Sequence, residues 1–350
     1  MSTNFAVVGA GMIGDVHCRA INALAGEAKL ALVVDRDVAE AARLAEQHGA
    51  AGSTADLAEA LRRADIDAVA VCTPSGAHAD IAVPALRAGK HVVVEKPIEV
   101  SLPAADRIIA AERETGGTVA VISQHRFDRS TEKLAAAAES GGLGTLTSAN
   151  ASCAWWRGQS YYDSGAWRGT WELDGGGATM NQSIHTIDLM LSIMGRPVEV
   201  FARTARLAHE RIEVEDTAVA VVRFASGALG TVHATTAAYP GVATSLRVFG
   251  STGSAVIEAD ELTFLHTTSG AAAEISMGES GGSLNQVGPE DRLTDADRAL
   301  GAAHTAQLRD FVAAVRGGGR VRVGTAEARA VLALILGMYE SARTGAPVAQ

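Results

Sequence analysis

The sequence predicts a two-domain α/β chain. A doubly wound parallel sheet spans residues 1–123, and an α+β domain with a mostly antiparallel sheet spans 124–350. Three observations predict it. The 350 residues exceed one average domain. Up to Ser123, short apolar runs alternate with alanine-rich helical stretches. Past Gln124, strand-like runs follow one another without helices between them.

Residues 5–8 are apolar and predict the first strand, and Gly9-Ala-Gly-Met-Ile-Gly14 follows at once. A helix-like segment then runs to about Leu24, so this GxGxxG stands between a strand and a helix. Gly9 permits a tight turn, Gly11 lets a pyrophosphate approach the backbone, and Gly14 lets helix and strand pack closely. The amides at the helix start, around Met12 and Ile13, offer a positive partial charge to phosphates. The next strand, 30–34, ends in Asp35, placed to accept both ribose hydroxyls of NAD. Its carboxylate would repel the 2′-phosphate of NADP, by about 4 kcal/mol at ~4 Å before screening. Arg36 could pair with that phosphate, so NAD is preferred and NADP remains possible.

Helices are predicted over 38–48, 56–64, 77–88 and 101–115, and buried strands over 68–71, 92–94 and 119–122. The strand at 68–71 leads to Cys72-Thr73-Pro74, and the strand at 92–94 stops at Glu95-Lys96-Pro97, because proline cannot donate to a ladder. Both ends lie at the carboxyl edge, where open α/β sheets bind ligands. A partly dry lysine there can act as an acid or base, so Lys96 is a catalytic candidate. The alternative is an ordinary solvated lysine after a strand.

In the second half, a helix is predicted over 130–139 and strands over 146–154, 198–206, 217–224, 229–235, 245–249 and 255–257. Residues 225–228 predict a hairpin turn. Residues 268–300 are rich in Gly, Ser, Asp and Glu and predict a surface loop, before helices at 305–315 and 325–342. All four tryptophans lie between Trp155 and Trp171, with Tyr161, Tyr162, Arg157 and Arg168 among them. Glycines and polar residues surround these rings, which is loop composition. Rings and guanidinium groups on a loop, here Trp155, Arg157, Tyr161, Tyr162, Trp167 and Arg168, suit a sugar or its phosphate. Residues 178–194 predict a helix after Gly175-Gly-Gly177, stopped by Gly195. On it Asn181 and His185 share a face, and Asp188 is placed to hold the imidazole.

Composition narrows the functional classes. Hydrophobic residues are 47% and charged ones 20%, and the net charge of -10 carries no nucleic-acid footprint. The three cysteines show no CxxC spacing, so neither a disulfide frame nor a metal site is expected and a reducing cytoplasm fits. No secretory leader and no membrane span are expected.

Taken together, the motifs resemble the Gfo/Idh/MocA oxidoreductases, the glucose-fructose oxidoreductase and inositol dehydrogenase family. The resemblance covers nearly the whole chain. It rests on the glycine loop with His17 downstream, Cys72-Thr-Pro with His78 following, Glu95-Lys-Pro, and Gly175-Gly-Gly leading to His185 and Asp188. It implies a Rossmann domain, a C-terminal domain with a large open sheet, and homo-oligomers, dimers or tetramers, made through that sheet. It implies that Thr73, Pro74, His78 and Glu95 join the cofactor site, that Arg126 joins the substrate site, and that Lys96 lies near both nicotinamide and substrate. His185 would be the other acid/base group. Many inositol dehydrogenase-like members carry Asp four residues before that histidine, whereas this chain has Asn181, which can orient a hydroxyl but cannot take its proton. The tryptophan-rich pattern looks nearer to sugar and nucleotide-sugar 3-dehydrogenases. The expectation is NAD(P)-dependent hydride transfer to or from a secondary alcohol of a sugar or cyclitol. The alternatives are a nucleotide-sugar 3-dehydrogenase or ketoreductase, and a non-catalytic NAD-binding sensor.

Overall fold

The computed structural model describes residues 2–267 and 301–350; the loop expected at 268–300 lies outside the described residues. The chain forms two compact units, one containing 2–124, 170–175 and 301–332, the other 125–169, 176–267 and 333–350.

The chain begins with β1 (Thr3–Val8), α1 (Met12–Ala23), β2 (Ala28–Val34), α2 (Val38–His48), β3 (Ser53–Thr54) and α3 (Leu57–Arg62). It continues with β4 (Ala68–Val71), α4 (His78–Arg87), β5 (His91–Val94), α5 (Leu102–Thr115) and β6 (Val119–Val121). The six strands pair in the order β3-β2-β1-β4-β5-β6, all parallel. Val69, Val71 and Val92 to Val94 are fully or almost fully buried, which is why these strands read as unbroken apolar runs. Side chains cap the helix starts: Asp37 accepts from the amides of Ala39 and Glu40, and Ser101 from that of Ala104. The two-residue β3 carries no hydrophobic pattern and was not expected.

The remaining elements are α6 (Arg129–Glu139), β7 (Leu146–Ala154), α7 (Gln159–Tyr162), a π-helical segment (Ala178–Ser183), α8 (Ile184–Met194), β8 (Pro197–Ala205), β9 (Thr217–Phe224) and β10 (Leu229–Thr235). They are followed by β11 (Ser245–Gly250), β12 (Ser254–Glu258), β13 (Glu261–His266), α9 (Ala302–Gly317), α10 (Thr325–Thr344) and β14 (Val348–Ala349). Helix α9 belongs to the first unit, where Phe311 meets Phe5 of β1 with ring centroids 5.9 Å apart. Leu308, Phe311 and Val312 join Ile21, Leu24 and Leu44 in one buried core. Emptying the Phe311 position would cost about 3–5 kcal/mol.

The second unit is built on an eight-stranded sheet, β13-β12-β11-β7-β10-β9-β8-β14. Every pairing is antiparallel except β7 with β10. Burial alternates strictly along β9, so Ala218, Ala220, Val222 and Phe224 face the core. Strands β13 and β14 escaped the sequence reading, because one follows a tight turn through Ala259 and Asp260 and the other is two residues long. The helix expected over 178–194 is divided: its first six residues wind as a π-helix before α8 begins.

Candidate active site

In the first unit the strand order reverses at β1 and β4, which are neighbours. That reversal opens the crevice where doubly wound sheets bind dinucleotides. Gly9 follows β1 with φ +108°, and a Cβ there would lie 2.5 Å from the carbonyl oxygen of Cys72, so only glycine closes this turn. A Cβ on Gly14 would strike the Gly9 carbonyl, whereas the same position on Gly11 is open. Gly11 caps α1, and Met12, first in the helix, is 78% exposed. Ile13 packs partly buried against the core. Asp35 Oδ2 accepts the amide of Ala10 at 2.7 Å, and Oδ1 that of Asp37 at 2.9 Å. The carboxylate is thus aimed by the glycine loop, and Arg36 beside it is exposed. On the other lip, the buried hydroxyl of Thr73 has no hydrogen-bond partner among the described residues. An open glycine amide edge, an aimed carboxylate and an unsatisfied hydroxyl fit a dinucleotide.

The Glu95-Lys96-Pro97 turn follows β5 as expected. Glu95 is 4% exposed and is a hydrogen-bonding hub. Its Oε1 lies 2.8 Å from His17 Nε2 and 3.6 Å from His304 Nε2, and its Oε2 accepts the amide of Lys96 at 3.0 Å. Burial pushes the Glu95 carboxyl up, but the His17 and His304 hydrogen bonds and charges outweigh it and hold the group well below its usual range. His78 is likewise fully buried, with Nδ1 2.9 Å from the Pro97 carbonyl and Nε2 3.0 Å from that of Thr73. It ties two edge loops together, and burial pushes its pKa down against those carbonyls. Glu95 and His78, both expected at the cofactor site, are enclosed, and their hydrogen bonds position the loops that carry Lys96, Thr73 and Pro74.

In the second unit the aromatic loop forms a ladder. The Arg157 guanidinium carbon lies 4.8 Å from the Trp155 ring centre and 5.2 Å from that of Tyr161. Arg168 lies 4.4 Å from Tyr161 and 4.4 Å from Trp167. Gln182 anchors it: Oε1 accepts from Arg157 at 3.1 and 2.8 Å, while Nε2 donates to the Tyr161 hydroxyl at 3.0 Å and to Asn181 Oδ1 at 3.3 Å. Tyr162 departs from the expectation. It is 5% exposed and shares a hydrogen bond with Thr236 at 2.8 Å, so it is core rather than a stacking surface. Below the ladder, His209 Nε2 meets the Arg157 carbonyl and Nδ1 meets Asp216, which also accepts the amides of Leu207, Ala208 and His209. Burial pushes Asp216 up, but those amide bonds and His209 prevail and lower it.

The π-helical segment starts on Glu215, whose carboxylate accepts the amides of Gly177 at 3.0 Å and Thr179 at 2.8 Å. It carries Asn181, and α8 carries His185, so the two candidates straddle the change of winding. His185 lines a cavity of about 90 Å³ with His125, Trp155, Gln182, Thr186 and Asp260 among its walls. The His125 and His185 rings meet edge to face, centroids 5.2 Å apart. His125 Nδ1 lies 2.7 Å from Asp128 and 3.5 Å from Asp260. Burial opposes its charge, but the Asp128 hydrogen bond and the charges of Asp260, Asp128 and Asp188 raise its pKa above the usual value. Asp188, expected to hold His185, takes a two-pronged bond from Arg126 at 2.7 and 2.5 Å. That ion pair also occupies Arg126, placed on the substrate by the sequence reading.

His304, Gln182, Glu215 and His125 were missed. Only Gln182 and His125 adjoin residues that the motifs singled out; the partners of the other two lie far along the chain.

Residues 3–123 match the family model described as "Oxidoreductase family, NAD-binding Rossmann fold", and residues 131–256 match the GFO/IDH/MocA C-terminal domain. The chain is 30% identical over 260 residues to the myo-inositol 2-dehydrogenase of Thermotoga maritima, covering 71% of this chain and 72% of that one. The chain belongs to the GFO/IDH/MocA oxidoreductase family. It is also 27% identical to the scyllo-inositol 2-dehydrogenase (NAD(+)) of Bacillus subtilis over 98% of this chain and 95% of that one. The crystal structure of the WlbA dehydrogenase from Bordetella pertussis, in complex with NADH and UDP-GlcNAcA, superposes with a TM-score of 0.86 at 28% identity, covering 100% of this chain and 99% of that one. The match makes residues 3–123 of this GFO/IDH/MocA chain an NAD-binding Rossmann domain. Among the described residues, no helix is long and apolar enough to cross a membrane.

Proposed function

We propose that this oxidoreductase catalyses reversible hydride transfer between NAD and a secondary alcohol of a sugar or cyclitol. The observation that carries the reading is His185 in a cavity shared with Trp155, Gln182 and Thr186, beside a ladder of rings and guanidinium groups. An acid/base imidazole among rings and polar side chains suits a polyhydroxylated ligand. Residues 1–123, with 301–332 packed on them, serve as the NAD(P)-binding domain, and the rest of 124–350, the unit built on the eight-stranded sheet, as the substrate-binding and oligomerisation domain.

The pyrophosphate would be held by the loop Gly9, Gly11, Met12, Ile13 and Gly14, the ribose by Asp35 with Arg36 nearby, and the nicotinamide half by the Thr73, Pro74 and Lys96 loops. NAD bound there supplies the hydride acceptor. His185 takes the hydroxyl proton as general base, and Lys96 donates hydrogen bonds to the same oxygen as its negative charge grows. Asn181, held by Gln182, orients the reacting carbon without taking a proton. NAD is preferred because Asp35 presents a carboxylate to the 2′ position, while Arg36 leaves NADP a lesser substrate. The three cysteines are free and buried, which suits a reducing cytoplasm.

A second reading, a nucleotide-sugar 3-dehydrogenase or ketoreductase, has its own support: neither Arg157 nor Arg168 pairs with a carboxylate among the described residues, and either can meet a diphosphate. The open face of the eight-stranded sheet exposes Phe201, Val219, Val221 and Leu229, and we assign it to a homo-oligomer, dimer or tetramer. NADH formation with free sugars, inositols and UDP-sugars separates the two enzyme readings. Tight NAD binding with no turnover of any of them would favour a cofactor-binding sensor instead.

A further inference from the structure

We propose that His125 is a positioning residue for His185: a charged imidazole, clamped by Asp128 and Asp260, that keeps the neighbouring His185 ring neutral and able to accept a proton. The inference rests on the reading of His185 as the general base. Three features of the second unit carry it. The two rings stand edge to face at 5.2 Å, and both line the same cavity. His125 Nδ1 donates to Asp128 at 2.7 Å, and Oδ1 of Asp260, which also lines the cavity, lies 3.5 Å from it. Asp260 reaches that place from the turn between β12 and β13, where Ala259 and Asp260 both take positive φ, 51° and 65°. Two carboxylates on one imidazole favour its charged form despite burial, in keeping with its raised pKa.

The other charges around the pair do not cancel this arrangement. On α8, Asp188 is closed by Arg126. Strand β7 brings only Cys153, whose thiol burial pushes up to about 11, so it stays neutral. Helix α6, packed on α8, carries two bases and two acids, Arg129, Lys133, Glu132 and Glu139, so its charges balance. Arg247 of β11 is paired with Glu258 of β12, and Glu261 opens β13. Arg157 approaches the cavity through Gln182. A fixed positive charge beside His185 disfavours a second one. Protonation of His185 is thereby pushed to lower pH, and the base form is held through neutrality. Replacing His125 by a neutral residue removes that charge and leaves the negative charges of Asp128 and Asp260 uncompensated by it, so His185 gains proton affinity.

The test is the pH dependence of kcat/KM for alcohol oxidation, with the fastest alcohol among glucose, myo-inositol and UDP-glucose. His125→Gln moves the acid limb to higher pH by on the order of one unit. His125→Lys keeps a cation and returns the limb toward the wild-type position. Thermal melting and NAD binding verify that each variant is folded, and His125→Asn serves as the neutral variant if the Gln form is not. An unmoved limb in the neutral variant, or equal movement in the neutral and Lys variants, overturns the role of His125. His185→Ala separates the two levels. If it turns over normally, the general-base reading falls and this inference with it. If it is inactive while the His125→Gln limb stays in place, only the inference falls.

Discussion

Asp35 accepts the backbone amide of Ala10 through Oδ2 at 2.7 Å, so the residue expected to read the ribose is also a strut of the glycine loop. Removing it should therefore damage the loop as well as the contact. Asp35→Ala leaves the amides of Ala10 and Asp37 without this acceptor, a loss of about 1–3 kcal/mol. The expected outcome is a lower melting temperature, a KM for NAD raised tenfold or more, and a reduced ratio of kcat/KM for NAD over NADP. An unchanged cofactor ratio would show that Asp35 serves only the loop.

Glu95 predicts an acid dependence of stability. Its folded pKa lies well below the unfolded value, so its contribution is present above the ordinary carboxylate range, about 4.3, and is lost as pH falls through the depressed folded value. Glu95→Gln should be less stable than wild type by about 1–3 kcal/mol at pH 7. That gap should narrow steadily below about pH 4. Urea unfolding of both proteins at pH 7 and pH 3 measures it; a gap of equal size at both would contradict the assignment.

Gln182 joins the arginine ladder to Asn181. Gln182→Ala should release Arg157 and Tyr161 from their common anchor and blunt substrate positioning. Steady-state kinetics should show KM for the alcohol raised about tenfold, roughly 1.4 kcal/mol, with NAD affinity intact. A KM within twofold of wild type would remove Gln182 from the substrate site.

Val221 lies in register with Phe201 of β8 and Thr231 of β10 on the open sheet face, 51% exposed. Val221→Glu places a charge in the middle of the proposed interface. Light scattering should then report a smaller particle than wild type, with NAD binding kept. A wild-type protein that is monomeric at working concentration would dismiss the interface.

Much of the first unit was legible because its signals are local. The glycine loop, Asp35, Thr73-Pro74 and the stop at Glu95-Lys96-Pro97 each follow directly from a strand end, and strand ends are set by apolar runs and proline. Thr217–Phe224 and Leu229–Thr235 were legible to the residue because alternation brackets a short turn. What escaped depends on distant pairing. Nothing in the sequence near Ala302–Gly317 announces that His304 reaches Glu95, more than two hundred positions earlier. The π winding of Ala178–Ser183 is invisible to periodicity, since it rests on a carboxylate supplied by Glu215. Tyr162 was misplaced for a related reason: loop composition located the segment correctly but could not tell which ring turns inward to Thr236. Arg126 reaches Asp188 from sixty-two positions away, a pairing that no local spacing announces.

The most direct test of the central claim is turnover by Lys96→Ala and His185→Ala, each measured beside its NAD affinity. In both, kcat for alcohol oxidation should fall by a factor of about 10² or more, the usual range for a lost acid/base group, while NAD binds within a few-fold of wild type. Near-normal turnover in both variants would contradict that claim.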